Sequence, residues 1–232
     1  MILMAYVALV AIGGAWAVLA SAMPNPAPAP LEILFWLLAN MLGEVLWLPA
    51  PRGRGYISMA TAANFASVLV LPTWTAVVVT SLAGALTDAV FRHRPWYKVL
   101  FNAAACCVTV YAASHVYAST GNGHAGIDAL LTPLNVGALA LAAVVYFGLN
   151  TWLVSGAIAL EGRRPVWEVW RTSFGSNYSL SNSLALILFG FFFATLFLTW
   201  GYISAFLAVF AAYFVRDAYE RYLLMTERGA AT

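Results

Sequence analysis

The chain reads as a series of long apolar runs broken by short polar or proline-bearing gaps. Eight runs stand out, at residues 2–22, 31–50, 57–71, 73–91, 96–118, 134–160, 178–199 and 201–216. A helix needs about 20 apolar residues to cross a membrane, and most of the runs are close to that length. The third is short: its 15 residues reach about 22 Å, and Pro72 and Thr73 come directly after it. Two other readings of 57–91 are a single helix kinked at Pro72 and a re-entrant hairpin.

Charge separates these readings. The cations are Arg52, Arg54, Arg92, Arg94, Lys98, Arg163, Arg164, Arg171, Arg216, Arg221 and Arg228. With eight spans, all of them fall on one side, in the second, fourth and sixth loops and the C-terminal tail. The opposite loops, Met23–Pro30, the Pro72 turn, Ser119–Pro133 and Thr199–Gly201, hold none. Lys and Arg mark the cytoplasmic side, so both termini are expected there. One kinked helix over 57–91 would put Arg52 and Arg92 on opposite faces, whereas a hairpin would preserve the sidedness. Trp47, Trp96, Trp167 and Trp170 fall at cytoplasmic ends, and Trp74 and Trp200 at outer turns, the levels interfacial indoles favour. Trp16, Trp36 and Trp152 lie deeper and read as packing residues.

Ala20-Ser21-Ala22 resembles a signal-peptide cleavage site. However, no Lys or Arg precedes the apolar run, and the run is too long for a signal core. The expectation is therefore a retained first span. Residues 23–30, with a Pro at every second position, predict a stiff extended link, and residues 120–126 a flexible outer loop. Over 165–175, Pro165 suits a first helical position, and Val166, Trp167, Trp170 and Phe174 share a face, which predicts an interfacial helix. The fold class expected is an all-α, polytopic integral membrane helix bundle of about eight transmembrane helices. It forms one domain over 1–216, with a short cytoplasmic helical tail over 217–232.

Composition agrees. Hydrophobic residues make up 63% of the 232 and charged residues 9%, against about 25% charged in soluble domains. Mean hydropathy is +0.84. The only two cysteines, Cys106 and Cys107, are adjacent, which excludes a disulfide scaffold. A net charge of +2 gives no basic field for nucleic acid.

Ionisable groups inside lipid are expensive and default to functional candidates. Glu44 and Asp88 lie near the cytoplasmic ends of their spans, within reach of the arginine clusters. The plain alternative is that both simply pair with interfacial arginines. Asn102, Asn150 and Asn182 fall in the same inner half, and Asn64 at the middle of the third span. Each asparagine alone is adequately explained as interhelical glue. Their shared depth points to a polar pocket opening inward, or a polar core that transmits a signal inward. His115 shares a face of the fifth span with Tyr111, and a lone histidine there reads first as structural. No histidine cluster for a metal is assembled, and no cofactor is implied. Cys106 and Cys107 read as small core residues.

No phosphate loop, dinucleotide fingerprint, His-Glu-x-x-His motif or nucleophile elbow occurs. The single lysine, Lys98, sits at an interface, which argues against a retinal Schiff base. No catalytic residue is nominated.

Glu44 through Pro49, Arg52-Gly53-Arg54-Gly55, Ile57-Ser58, Leu71-Pro72, Trp96 through Asn102, Tyr146 through Asn150 and Ala157 through Leu160 together resemble a MASE-type N-terminal membrane sensor region. In bacteria such regions are fused to HD-GYP or GGDEF output domains. Arg216 to Tyr222 is similar to the charged helix that leaves the last span. The resemblance implies signal perception and transfers no catalytic residue. No output module comes after Thr232, so the expectation is a stand-alone relative, a sensor without an output of its own, or a fragment of a longer chain.

The leading functional expectation is a sensory or ligand-binding module of the bacterial inner membrane. It would pass a conformational signal to a cytoplasmic partner or to a second copy. Behind it stand, in order, a small-molecule permease or uptake-transporter subunit, a structural subunit of a larger membrane complex, and an intramembrane enzyme.

Overall fold

In a computed structural model, the structure describes residues 2–21, 28–49, 56–121, 126–204, 207, 210, 213, 214, 217, 218 and 221. The side chains of 47–49, 56–58 and 178 fall outside that description. The helices are α1 (Ile2–Ala20), α2 (Pro30–Val45), α3 (Ala60–Val70), α4 (Thr73–Leu86), α5 (Trp96–Thr120), α6 (Ile127–Leu130), α7 (Pro133–Gly162), α8 (Val166–Ser173) and α9 (Asn177–Trp200). A π-helical turn, Thr87–Phe91, extends α4, and a 3-10 turn, Gly201–Ile203, extends α9. Described positions from Ser204 to Arg221 are helical.

Among the described residues, five helical stretches are long and apolar enough to cross a membrane: Ile2–Ala20, Thr73–Phe91, Trp96–Thr120, Pro133–Gly162 and Ser179–Ile203. α5 is the central post, packed on α1, α4 and α7. On the other side α2 and α9 hold α3 between them, and α2 also packs on α4.

α3 is the shortest of the helices in the bundle's core. Its 11 residues rise about 16 Å, and all but its second and last residues are buried. A helix with apolar residues on every face and its buried polar side chains paired belongs in an interior, and small residues let neighbours reach it. A Cβ on Gly43 would lie 3.2 Å from the Ala60 Cα, and one on Gly190 only 2.6 Å from the Ala62 carbonyl oxygen. Residues 57–91 are not one kinked helix. Leu71 (ψ 149°) and Pro72 (ψ 143°) are extended and separate α3 from α4.

Three features depart from the expected spans. α2 stops at Val45 rather than near residue 50. Trp47–Pro49 instead pairs antiparallel with Tyr56–Ser58, in the register Trp47↔Ser58. Pro49 disfavours helical backbone at the residue before it, so the chain leaves the helix early. The winding of α4 changes at Thr87, where the Arg92 N–H reaches the Thr87 carbonyl. α6 occupies part of the expected outer loop and buries Leu130.

The interfacial helix at 165–175 is present as α8. The face it buries is centred on Val169, at 1% exposure, while Val166 and Trp167 are exposed. Trp36 is a packing residue as expected, at 0% exposure, against Phe35, Phe193 and Phe197. Trp16 and Trp152, read the same way, are exposed yet still pack on one side, Trp16 edge-on against Tyr111 and Trp152 stacked on Trp170. Most of the Pro-rich link and of the Gly-rich outer loop lies outside the described residues, as do Arg52, Arg54 and most of the tail.

Candidate functional site

α4 delivers Asp88 on its π-helical turn, and the carboxylate is almost sealed, at 3% exposure. A π turn places one extra residue in a helix and re-aims the side chains beyond it; such turns recur at functional sites. Asp88 Oδ1 accepts from Arg92 Nη1 at 2.9 Å and is 3.3 Å from Arg94 Nε. Asp88 Oδ2 accepts from Asn102 Nδ2 on α5 at 2.6 Å. Arg92 Nη2 crosses to α2, where it lies 3.1 Å from Glu44 Oε2 and donates to the Glu44 carbonyl at 2.6 Å. Two carboxylates and two guanidinium groups thus balance, and they tie α2, α4 and α5 at one end of the bundle. His93, in left-handed backbone at φ 48°, turns the chain so that the Arg94 N–H bonds back to the Asp88 carbonyl.

One turn deeper lies a second polar group. Asn64 on α3 donates to the Tyr146 hydroxyl on α7 at 3.2 Å, and its Nδ2 is 3.9 Å from Cys106 Sγ on α5. Thr80 on α4 is within reach of the same thiol. Glu44 links the two levels. Its Oε2 faces Arg92, and its Oε1 lies 3.8 Å from where a Gly84 Cβ would stand. Glu44, Gly84, Asn102 and Cys106 are all half-buried. Five helices, α2, α3, α4, α5 and α7, therefore contribute polar groups to these two neighbouring clusters. Among the described residues, no group of three His, Cys, Asp or Glu converges to hold a metal.

The pattern that defines a known membrane family, MASE9, matches residues 3–216. The chain belongs to the MASE9 family. MASE9 is a MASE-type membrane sensor family, in line with the resemblance carried by residues from Glu44 to Leu160. No curated protein and no solved structure matches the chain. As a MASE9 member the chain is a membrane protein of a sensory class.

In this MASE9 chain, Glu44, Asp88 and Asn102 form one hydrogen-bonded assembly, and Asn64 lies in the group next to it. Asn150 and Asn182 are half-buried and join neither group. His115 is exposed and stacks on Tyr111 with ring centroids 5.8 Å apart. Among the expected topology-setting cations, Arg92 and Arg94 serve the assembly itself. Lys98 pairs with Glu161 and Arg164 with Glu168, each at 2.9 Å. Arg163 caps α7 in left-handed backbone.

Sequence reasoning does not nominate Cys106, Tyr146, Gly84 or Thr80. A spacing signal is nonetheless present. Cys106 is four residues after Asn102, Tyr146 four before Asn150, and Gly84 four before Asp88, each pair one helical turn apart. Asn40, four before Glu44, is fully buried and donates to Ser67 Oγ at 2.9 Å.

Proposed function

We propose that the chain is a multi-pass sensory or ligand-binding module of the bacterial inner membrane. It has eight spans and both termini in the cytoplasm, and it passes a conformational change to a cytoplasmic partner or a second copy. The one-sided distribution of the cations supports this orientation. The observation that carries the function is the Glu44–Arg92–Asp88–Asn102 assembly, seated against the Asn64–Tyr146–Cys106 group.

The mechanism runs through α2. Its inner end holds Glu44. Toward its outer end, Phe35 and Trp36 pack on Phe197, at 5.1 and 4.9 Å, and Phe35 packs on Tyr202 at 5.1 Å. Tyr202 belongs to the 3-10 turn from which the last helix departs, and Gly201 there has φ +60°. A ligand that engages Glu44 competes with Arg92 for the carboxylate. Release of that pair frees α2 to tilt against the turn that aims the exit helix. A π turn that can rewind as an α turn would give α4 two discrete arrangements, as a switch requires.

The test is a comparison of the purified wild type with Glu44→Gln by mass spectrometry of whatever co-purifies. Gln keeps the shape, and Arg92 keeps its bond to the Glu44 carbonyl, so the variant is expected to insert and fold. It should lose a small molecule or protein that the wild type retains. Identical retained species in both, or an unfolded variant, would contradict the reading.

A further inference from the structure

α8 has no part in the proposed relay, yet its surroundings are chemically specific. It lies between two stretches long and apolar enough to cross a membrane, Pro133–Gly162 and Ser179–Ile203. A short helix between two spans must lie at the membrane face. Val169 is buried against the bundle. Trp170 Nε1 donates to Thr151 Oγ1 on α7 at 3.0 Å, and the Trp152, Trp167 and Trp170 rings stack nearly parallel, with Trp167–Trp170 centroids 5.3 Å apart. This anchoring fixes α8 and leaves Trp167 at 57% exposure. Arg171 is four residues further on and shares its face.

Among the described residues, the charges around α8 do not cancel. Lys98, Arg163, Arg164 and Arg171 face two anions, Glu161 and Glu168. Lys98 takes Glu161 and Arg164 takes Glu168. Arg163 and Arg171 are left exposed, an excess of two positive charges in the segment that carries the exposed Trp167. Indoles settle at headgroup level, and arginine recognises phosphate with a planar fork.

We infer that α8 and the turn before it form a binding surface for the headgroup of an anionic phospholipid, with Arg163 and Arg171 on the headgroup and Trp167 beside it. Its position at the membrane face selects a bilayer lipid over a soluble anion. The inference is independent of the sensory reading, because none of these residues belongs to the Glu44 assembly.

Native mass spectrometry of the full chain in detergent, titrated with phosphatidylglycerol or phosphatidylcholine, tests it. The wild type should retain phosphatidylglycerol in preference. Each of Arg163→Gln and Arg171→Gln should weaken that retention by about fivefold, the effect of one cation near an anionic surface. Glu168→Gln, which releases Arg164, should strengthen it by a similar factor and needs no loss of function to be read. Equal retention of the two lipids by the wild type, or a preference unchanged in all three variants, would overturn the inference.

Discussion

Asp88→Ala should destabilise the bundle by about 3 kcal/mol, measured by thermal or detergent-titration unfolding of the purified protein. Breaking a buried ion pair by removing one partner typically costs about 3–5 kcal/mol, because the other charge is left uncompensated. Asp88 is 3% exposed, accepts from Arg92 and Asn102, and pairs with Arg94 at 3.3 Å. The low end of the range applies. Arg92 keeps Glu44, and Arg94, at 41% exposure, can turn toward water. Asp88→Asn retains an acceptor oxygen and removes the charge, so its loss should fall between those of wild type and alanine. An alanine variant within about 0.5 kcal/mol of wild type, the range of ordinary surface substitutions, would show that the assembly contributes no stability.

Gly190→Ala should destabilise by about 1–3 kcal/mol, the usual cost of overpacking. Gly148→Ala should be neutral or stabilising by up to about 1 kcal/mol, from helix propensity alone. The two glycines are both helical and differ in what a methyl group would meet. At Gly190 it would stand 2.6 Å from a backbone oxygen of α3, which cannot rotate away, so α9 must move. At Gly148 nothing lies within 4 Å. Equal effects at the two sites would contradict the close packing of α9 on α3.

The long helices are legible in the sequence because each long apolar run has one outcome in lipid, a helix that satisfies its own backbone. α1, α5, α7 and α9 stand close to their expected bounds for that reason. Pro72 is legible too, as a break rather than a kink. The pairing of Trp47–Pro49 with Tyr56–Ser58 is not, since residues 47–49 continue the apolar run of α2 without a change in hydropathy. The π turn at Thr87–Phe91 leaves no compositional mark. Glu44, Asp88 and Asn102 are legible as candidates from charge and polarity inside apolar segments. That Asp88 and Asn102 bond each other while Asn150 stands apart depends on helix rotation. Helices as uniformly apolar as α7 and α9 do not encode that rotation in their pattern. Cys106 and Tyr146 carry no charge to single them out, although each is one turn from a candidate asparagine.

In the proposed mechanism the Glu44–Arg92 contact controls the direction of the exit helix. The most direct test of that control is the distance between spin labels at positions 172 and 218, measured by double electron–electron resonance with Cys106 and Cys107 replaced by alanine. Thr172 lies on the anchored helix α8, and Ala218 on the helix beyond the Gly201 turn. Glu44→Gln should shift or broaden the distance distribution relative to the Glu44 protein while the unfolding midpoint stays close to it. Superimposable distributions in two equally folded proteins would contradict the account.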